Sequence, residues 1–138
     1  MKKFTLLFVS VLTIGLTISS CSKDDDDDDG SLEGKWNFSK EGAVAGGQEI
    51  LVDYSGNEAA CTKDYITFNT GGTVTEVDYD SFDTPCEVFT DNGTWVRTNN
   101  TITITTGGES YSAEILNLTS SELKIKDIDG YIVVFTRG

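Results

Sequence analysis

The chain has no histidine, one proline, three cysteines and only ten basic residues among its 138. Each shortage removes a class of function. Without an imidazole there is no His base for a Ser or Thr nucleophile and no His-containing metal site. Ten Lys and Arg stand against 23 Asp and Glu, for a formal net charge of −13. No basic face can then form on phosphate, so nucleic acid is not an expected partner. Polyanionic lipopolysaccharide would be repelled for the same reason, whereas cationic partners are permitted. The length suits one domain rather than two.

What is present begins with an address. Lys2 and Lys3 precede seventeen uncharged residues, 4–20. That run thins into Thr, Ser and Gly and falls short of the roughly twenty apolar residues of a membrane-spanning helix. A basic head followed by a short apolar stretch reads as a secretory signal over 1–20. The stretch ends Ile18-Ser19-Ser20-Cys21, which resembles the lipobox of bacterial lipoproteins. The resemblance implies a diacylglycerol on the Cys21 thiol, cleavage before it, and an acyl chain, such as palmitate, on its amine. Each buried methylene contributes about 0.8 kcal/mol, and several chains together anchor stably where one does not. Six consecutive aspartates, 24–29, follow. Such a like-charge block repels itself and stays solvated, so 21–30 is expected to be a disordered tether. An acidic patch beside the lipid Cys also resembles the surface-export signal of Bacteroidetes lipoproteins, which implies an outer-membrane, cell-surface location.

Once Cys21 is set aside, Cys61 and Cys86 remain. In an exported protein one leftover pair is expected to bridge. Residues 31–138 hold 17 acidic and 7 basic side chains and are long enough for a core of their own. They are rich in Thr, Val, Ile, Tyr and Phe, which suit a pleated sheet, and turn signals recur at short intervals. Strands are expected near 35–39, 49–54, 64–69, 73–79, 87–90, 94–98, 101–105, 110–118, 122–126 and 131–136. Asp91-Asn92-Gly93 reads as a tight turn, and 41–48 and 79–86 read as the long loops. Short connections make antiparallel neighbours. The expected fold is therefore all-β: a small antiparallel up-and-down barrel of about eight or nine strands, with a β-sandwich as the alternative.

Leu32-Glu33-Gly34-Lys35-Trp36 opens this domain and Arg137 follows its last strand. This resembles the lipocalin and calycin arrangement. The resemblance implies that Gly34 and Trp36 form the barrel floor and that Arg137 packs over the indole, with a cation–π component. The chain as a whole is similar to the lipocalin-like lipoproteins of Bacteroidetes, through its lipobox, acidic tether, Cys61 shortly before Asp64 and Phe68, and Gly93-Thr94-Trp95. It departs from longer secreted lipocalins in showing no helix pattern before the last strand. Fold likeness alone does not deliver a function.

No enzyme is expected. Paired carboxylates among Asp78, Asp80 and Asp83 are the nearest approach to catalytic chemistry, and so small a domain leaves little room for a sugar cleft. The same three acids have oxygen ligands suited to calcium. An EF-hand is excluded, because Asp83 stands where Gly is needed and Phe89 where the last ligand is needed. An acidic solvated loop is the expectation, with no metal and no cofactor. Tyr79, Phe82, Phe89 and Trp95 are the candidate ligand-binding aromatics, with ordinary core as the plainer reading. The expected whole is a monomeric, surface-anchored, non-enzymatic binding domain, possible occupants being a small apolar or amphipathic molecule. The alternative is a protein-interaction module, for example an inhibitor, with a filled barrel.

Overall fold

Nine antiparallel strands, and no helix, make up the described residues of the computed structural model, 30–81 and 85–138. The signal segment, the tether with Cys21, and Phe82 with Asp83 lie outside them. The strands are β1 Gly34–Ala45, β2 Gln48–Asp53, β3 Tyr65–Phe68, β4 Thr73–Asp80, β5 Glu87–Thr98, β6 Thr101–Thr106, β7 Glu109–Leu118, β8 Glu122–Asp127 and β9 Tyr131–Arg137. From β3 to β9 each strand pairs with the next. Gly107 and Gly108 have φ of 58° and 83°, the mirror-image turn that matches the twist of a two-residue hairpin.

β9 then returns to β1, pairing from Trp36 with Arg137 through Ala43 with Tyr131. This ladder closes the sheet, so the structure is a barrel and not a sandwich. Eight strands form the barrel and β2 is an extra one. The other edge of β1 is shared end to end: Gly34–Asn37 pairs with β3, and Lys40–Ala45 pairs with β2.

Two local expectations fail. Asp91-Asn92-Gly93 is not a turn but the middle of a twelve-residue β5. Gly93 is needed there for close approach, since a Cβ would sit 2.0 Å from the Thr105 carbonyl oxygen of β6. Residues 41–48 are not a long loop either. They complete β1, turn at Gly46-Gly47 and enter β2. Low strand propensity is overridden here because residues 40–43 have a ladder on both sides.

The apolar core fills one half of the barrel, around Trp36, Phe38, Phe68, Ile102, Leu123 and Phe135. Trp36 is fully buried, and its indole N–H donates to the Leu32 carbonyl at 2.8 Å. The Arg137 guanidinium lies 3.8 Å from the Trp36 ring centroid. It donates to the carbonyls of Glu33 at 2.8 Å, Ser31 at 2.5 Å and Ser120 at 3.3 Å. One side chain thus fastens the entering segment and the β7–β8 turn onto the floor. Gly34, with φ of 119°, runs beneath it, and a Cβ there would meet the guanidinium at 2.7 Å.

Arg137→Ala is expected to lose about 2 kcal/mol through the vacated cation–π contact and the unpaired carbonyls. The melting temperature should fall by roughly 10 °C. Arg137→Lys should not restore it, because one ammonium cannot reproduce the planar fork. Thermal melts followed by circular dichroism check both, and an unchanged Arg137→Ala melt would show the cap to be incidental.

Candidate functional site

The other half of the interior differs in kind, and a single irregularity in β1 sets it up. Trp36 and Phe38 face inward. Strict alternation would then turn Lys40 and Gly42 inward as well. The register slips between Phe38 and Lys40, a bulge that reverses the facing. Glu41 and Ala43 therefore share the inner face, opposite Val133 and Tyr131, and Lys40 is exposed.

The Glu41 carboxylate accepts hydrogen bonds from the Tyr131 hydroxyl and from the Ser55 backbone N–H, the latter at 3.1 Å. The Tyr131 hydroxyl first, then the Ser55 hydroxyl, and least the Ser55 N–H hold its pKa below the usual carboxylate value. Around it Gly42, Ala43, Ala45, Ile50, Val52, Ser55 and Tyr131 complete a cleft of about 610 Å³ at the open end. Ile50 and Val52 are more than half exposed, an apolar surface that β2 adds beyond the eight-stranded wall.

Deeper on the same inner face, β4 carries Glu76 and Asp78 on the side of buried Val74, and Asp91 of β5 pairs opposite Glu76. Burial and then the charges of Asp78, Asp91 and Asp64 push the Glu76 pKa up to about 6. Burial, then Asp91, raises Asp78 as well. Tyr111 is pushed up to about 12 by burial and by Glu76. Tyr54 stacks on Phe38 at 4.6 Å, and burial, with Asp64, Asp78 and Glu76 nearby, raises its pKa too. The inner surface is therefore apolar at the floor and carboxylate- and tyrosine-lined above it.

Between β1 and the upper part of β4 the wall is completed by the segment from Tyr54 to Asp64 rather than by a strand. The Phe38 N–H donates to the Asp64 carbonyl at 3.0 Å. The Asn57 amide donates to the Phe38 carbonyl at 2.7 Å, and the Tyr79 N–H donates to the buried Asp64 carboxylate at 2.8 Å. Burial raises the Asp64 pKa while that N–H lowers it. Cys61 and Cys86 are disulfide-bonded, with Cα atoms 6.0 Å apart, so the segment is also tied to the start of β5.

The structure does not gather the four candidate aromatics. Trp95 belongs to the lower core, edge-on to Phe68 at 5.5 Å, with its N–H on the Asn69 carbonyl at 3.0 Å. Tyr79 is on the outer wall beside Tyr65, whose ring carries the Lys35 ammonium at 4.0 Å. Phe89 is half exposed and pairs opposite Asp78. Phe82 is outside the described residues. Glu41, Ile50, Val52 and Tyr131, which do converge, gave no motif, because the bulge that brings them together leaves no mark in the residue pattern. Among the described residues no group of three or more Asp, Glu or Cys side chains is placed to hold a metal ion.

A closed antiparallel barrel with an indole floor capped by a late arginine defines a calycin-type binding fold. Residues 32–125 match the lipocalin-like domain family, and the chain belongs to that family. No curated protein sequence matches it. Among solved structures it is similar to a lipocalin-like protein from Bacteroides uniformis, with a TM-score of 0.56 and 15% identity over 78% of this chain and 98% of that one. It is also similar to an uncharacterized protein from Bacteroides eggerthii, with a TM-score of 0.57 and 12% identity over 78% of this chain and 100% of that one. At those identities the likeness is one of fold.

Two stability measurements follow. Replacing both Cys61 and Cys86 by Ser should cost about 3 kcal/mol in urea unfolding, because the bond closes a loop with a sequence separation of 25. For Glu76 the folded pKa is raised, from 4.5 to about 6, so its ionisation disfavours the fold. That penalty is absent below pH 4.5, grows through the interval to pH 6 and is complete above it. Glu76→Gln should thus stabilise by about 1 kcal/mol at pH 7.5, after discounting for solvent screening, and by nothing near pH 4. A pH-independent difference would contradict this origin.

Proposed function

We propose that the protein is a lipid-anchored, cell-surface binding protein that holds a small amphipathic ligand at the open end of its barrel and performs no covalent chemistry. The cleft over β1 and β2 is the observation that carries this reading. It joins exposed Ile50 and Val52 to a hydrogen-bonded polar end at Glu41, Ser55 and Tyr131. Small pockets of this make-up, apolar with a few convergent polar groups, suit ligands with a body and a head. The packed floor leaves the open half as the place for an occupant. The anchoring rests on Cys21 and the acidic run beside it, and the family membership supports a binding role.

Metabolic labelling with an alkyne fatty acid should mark the wild-type chain and not Cys21→Ala, and protease added to intact cells should remove the protein. Native mass spectrometry of the protein purified from its own host should show a retained small molecule that Ile50→Ser/Val52→Ser releases. Recovery of an unlipidated chain in the cytosol, or of ligand-free protein together with a bound polypeptide, would overturn the reading.

A further inference from the structure

We infer that the ligand head group is a cation: the cleft takes an amphiphile whose alkyl body lies on Ile50 and Val52 and whose ammonium meets Glu41. This inference rests on the proposed ligand-binding role and adds the charge of the ligand.

Glu41 is fixed rather than free to turn away, since one oxygen accepts from Ser55 and the other from Tyr131. Even with the Ser55 hydroxyl as a third donor, acceptor capacity is left on a carboxylate, which has about four lone-pair sites. A head group can therefore add a charge-assisted bond without displacing any protein donor. No Lys or Arg lines the cleft. The nearby cations are committed elsewhere: Lys40 to Asp53, Lys124 to Glu49 and Lys126 to Glu114. None of the three ion pairs among the described residues involves Glu41, Glu76, Asp78 or Asp91.

The rest of the inner wall adds to the same field. Burial first, and then one another's charges, raise the proton affinity of the carboxylates deeper in the barrel, and none of them has a neutralising partner among the ion pairs of the described residues. A concave, partly dry surface of one sign concentrates counter-charge. An anionic amphiphile such as a fatty acid would meet that field with its carboxylate against Glu41 and no cation to pair with. A neutral amphiphile would gain the apolar contact alone. The chemistry complementary to both ends of the cleft is an alkyl chain ending in an ammonium.

The test uses the full chain carrying Cys21→Ser, a change outside the barrel that removes the acylation point. Octylammonium, octyltrimethylammonium, octanol and octanoate are titrated below their micelle concentrations by isothermal calorimetry. Octylammonium should bind about ten-fold more tightly than octanol, the worth of one charge-assisted bond, and octanoate more weakly than either. Octyltrimethylammonium, which is cationic but cannot donate a hydrogen bond, should fall between octylammonium and octanol. Glu41→Gln, whose oxygen can still accept from Ser55 while its NH2 donates to the Tyr131 oxygen, should bring the ratio of octylammonium to octanol affinity down to about one. Raising the salt concentration should weaken the cations alone. Octanoate binding as tightly as octylammonium, or a cation preference that survives Glu41→Gln, would overturn the charge assignment. Binding of octanol with no preference among the heads overturns the assignment and leaves the ligand-binding role standing. Failure of all four to bind would overturn both.

Discussion

The ladder between β1 and β9 is the contact on which the rest of the structure depends. It joins the first strand to the last, for example Phe38 with Phe135, and it turns an open meander into a tube. A meander without it would present two long unpaired edges. With it, Trp36 has walls on every side and Arg137 is delivered over the indole at the point where the last strand ends. The same ladder forces 41–43, a stretch with little strand preference of its own, into the extended conformation that supports β2.

The interior that results has two regimes. At the floor, dispersion and burial are satisfied by well-packed aliphatic and aromatic side chains, with Leu123 and Trp36 showing no exposure at all. Above it, carboxylates face one another across β4 and β5 at a cost in stability, because burial first and neighbouring carboxylates second disfavour the charged forms of Glu76 and Asp78. Replacing them with apolar residues would give a more stable barrel. Destabilising polar groups retained on a concave surface mark a place where function competes with folding. Tyr54 and Asp64 sit at the boundary. The tyrosine stacks on the core, and the buried carboxylate uses the Tyr79 N–H to hold a loop where a strand is missing.

Much of this was legible in the residues. Enrichment in Thr, Val, Ile, Tyr and Phe, cut by turn signals at short intervals, points to strands such as 101–105, 122–126 and 131–136 and to an up-and-down order. The Cys61–Cys86 pair followed from compartment and count. Gly34, Trp36 and Arg137 came from likeness to a family. The mouth was not legible, for physical reasons. A bulge is a property of the ladder, and nothing in Phe38-Ser39-Lys40-Glu41 announces that Ser39 will be skipped. Gly93 looked like a turn residue because glycine serves both a left-handed φ and a close approach, and only the position of Thr105 tells them apart. The candidate aromatics are scattered because aromaticity does not encode facing: Tyr79 points out and Trp95 lies in the lower core.

Amide hydrogen exchange read residue by residue tests the central claim, that β9 seals the barrel against β1. The amides of Asn37 in β1 and of Val134 and Thr136 in β9 alternate with those of Phe38 and Arg137, which donate to Asp64 and Ser121, and so face the seam; they should exchange only through global unfolding. They should be at least about a hundred-fold slower than those of β2, which has only one ladder partner among the described residues. Exchange at the β1–β9 amides as fast as at β2 would mean that the sheet is open, and the account of floor and mouth would fall with it.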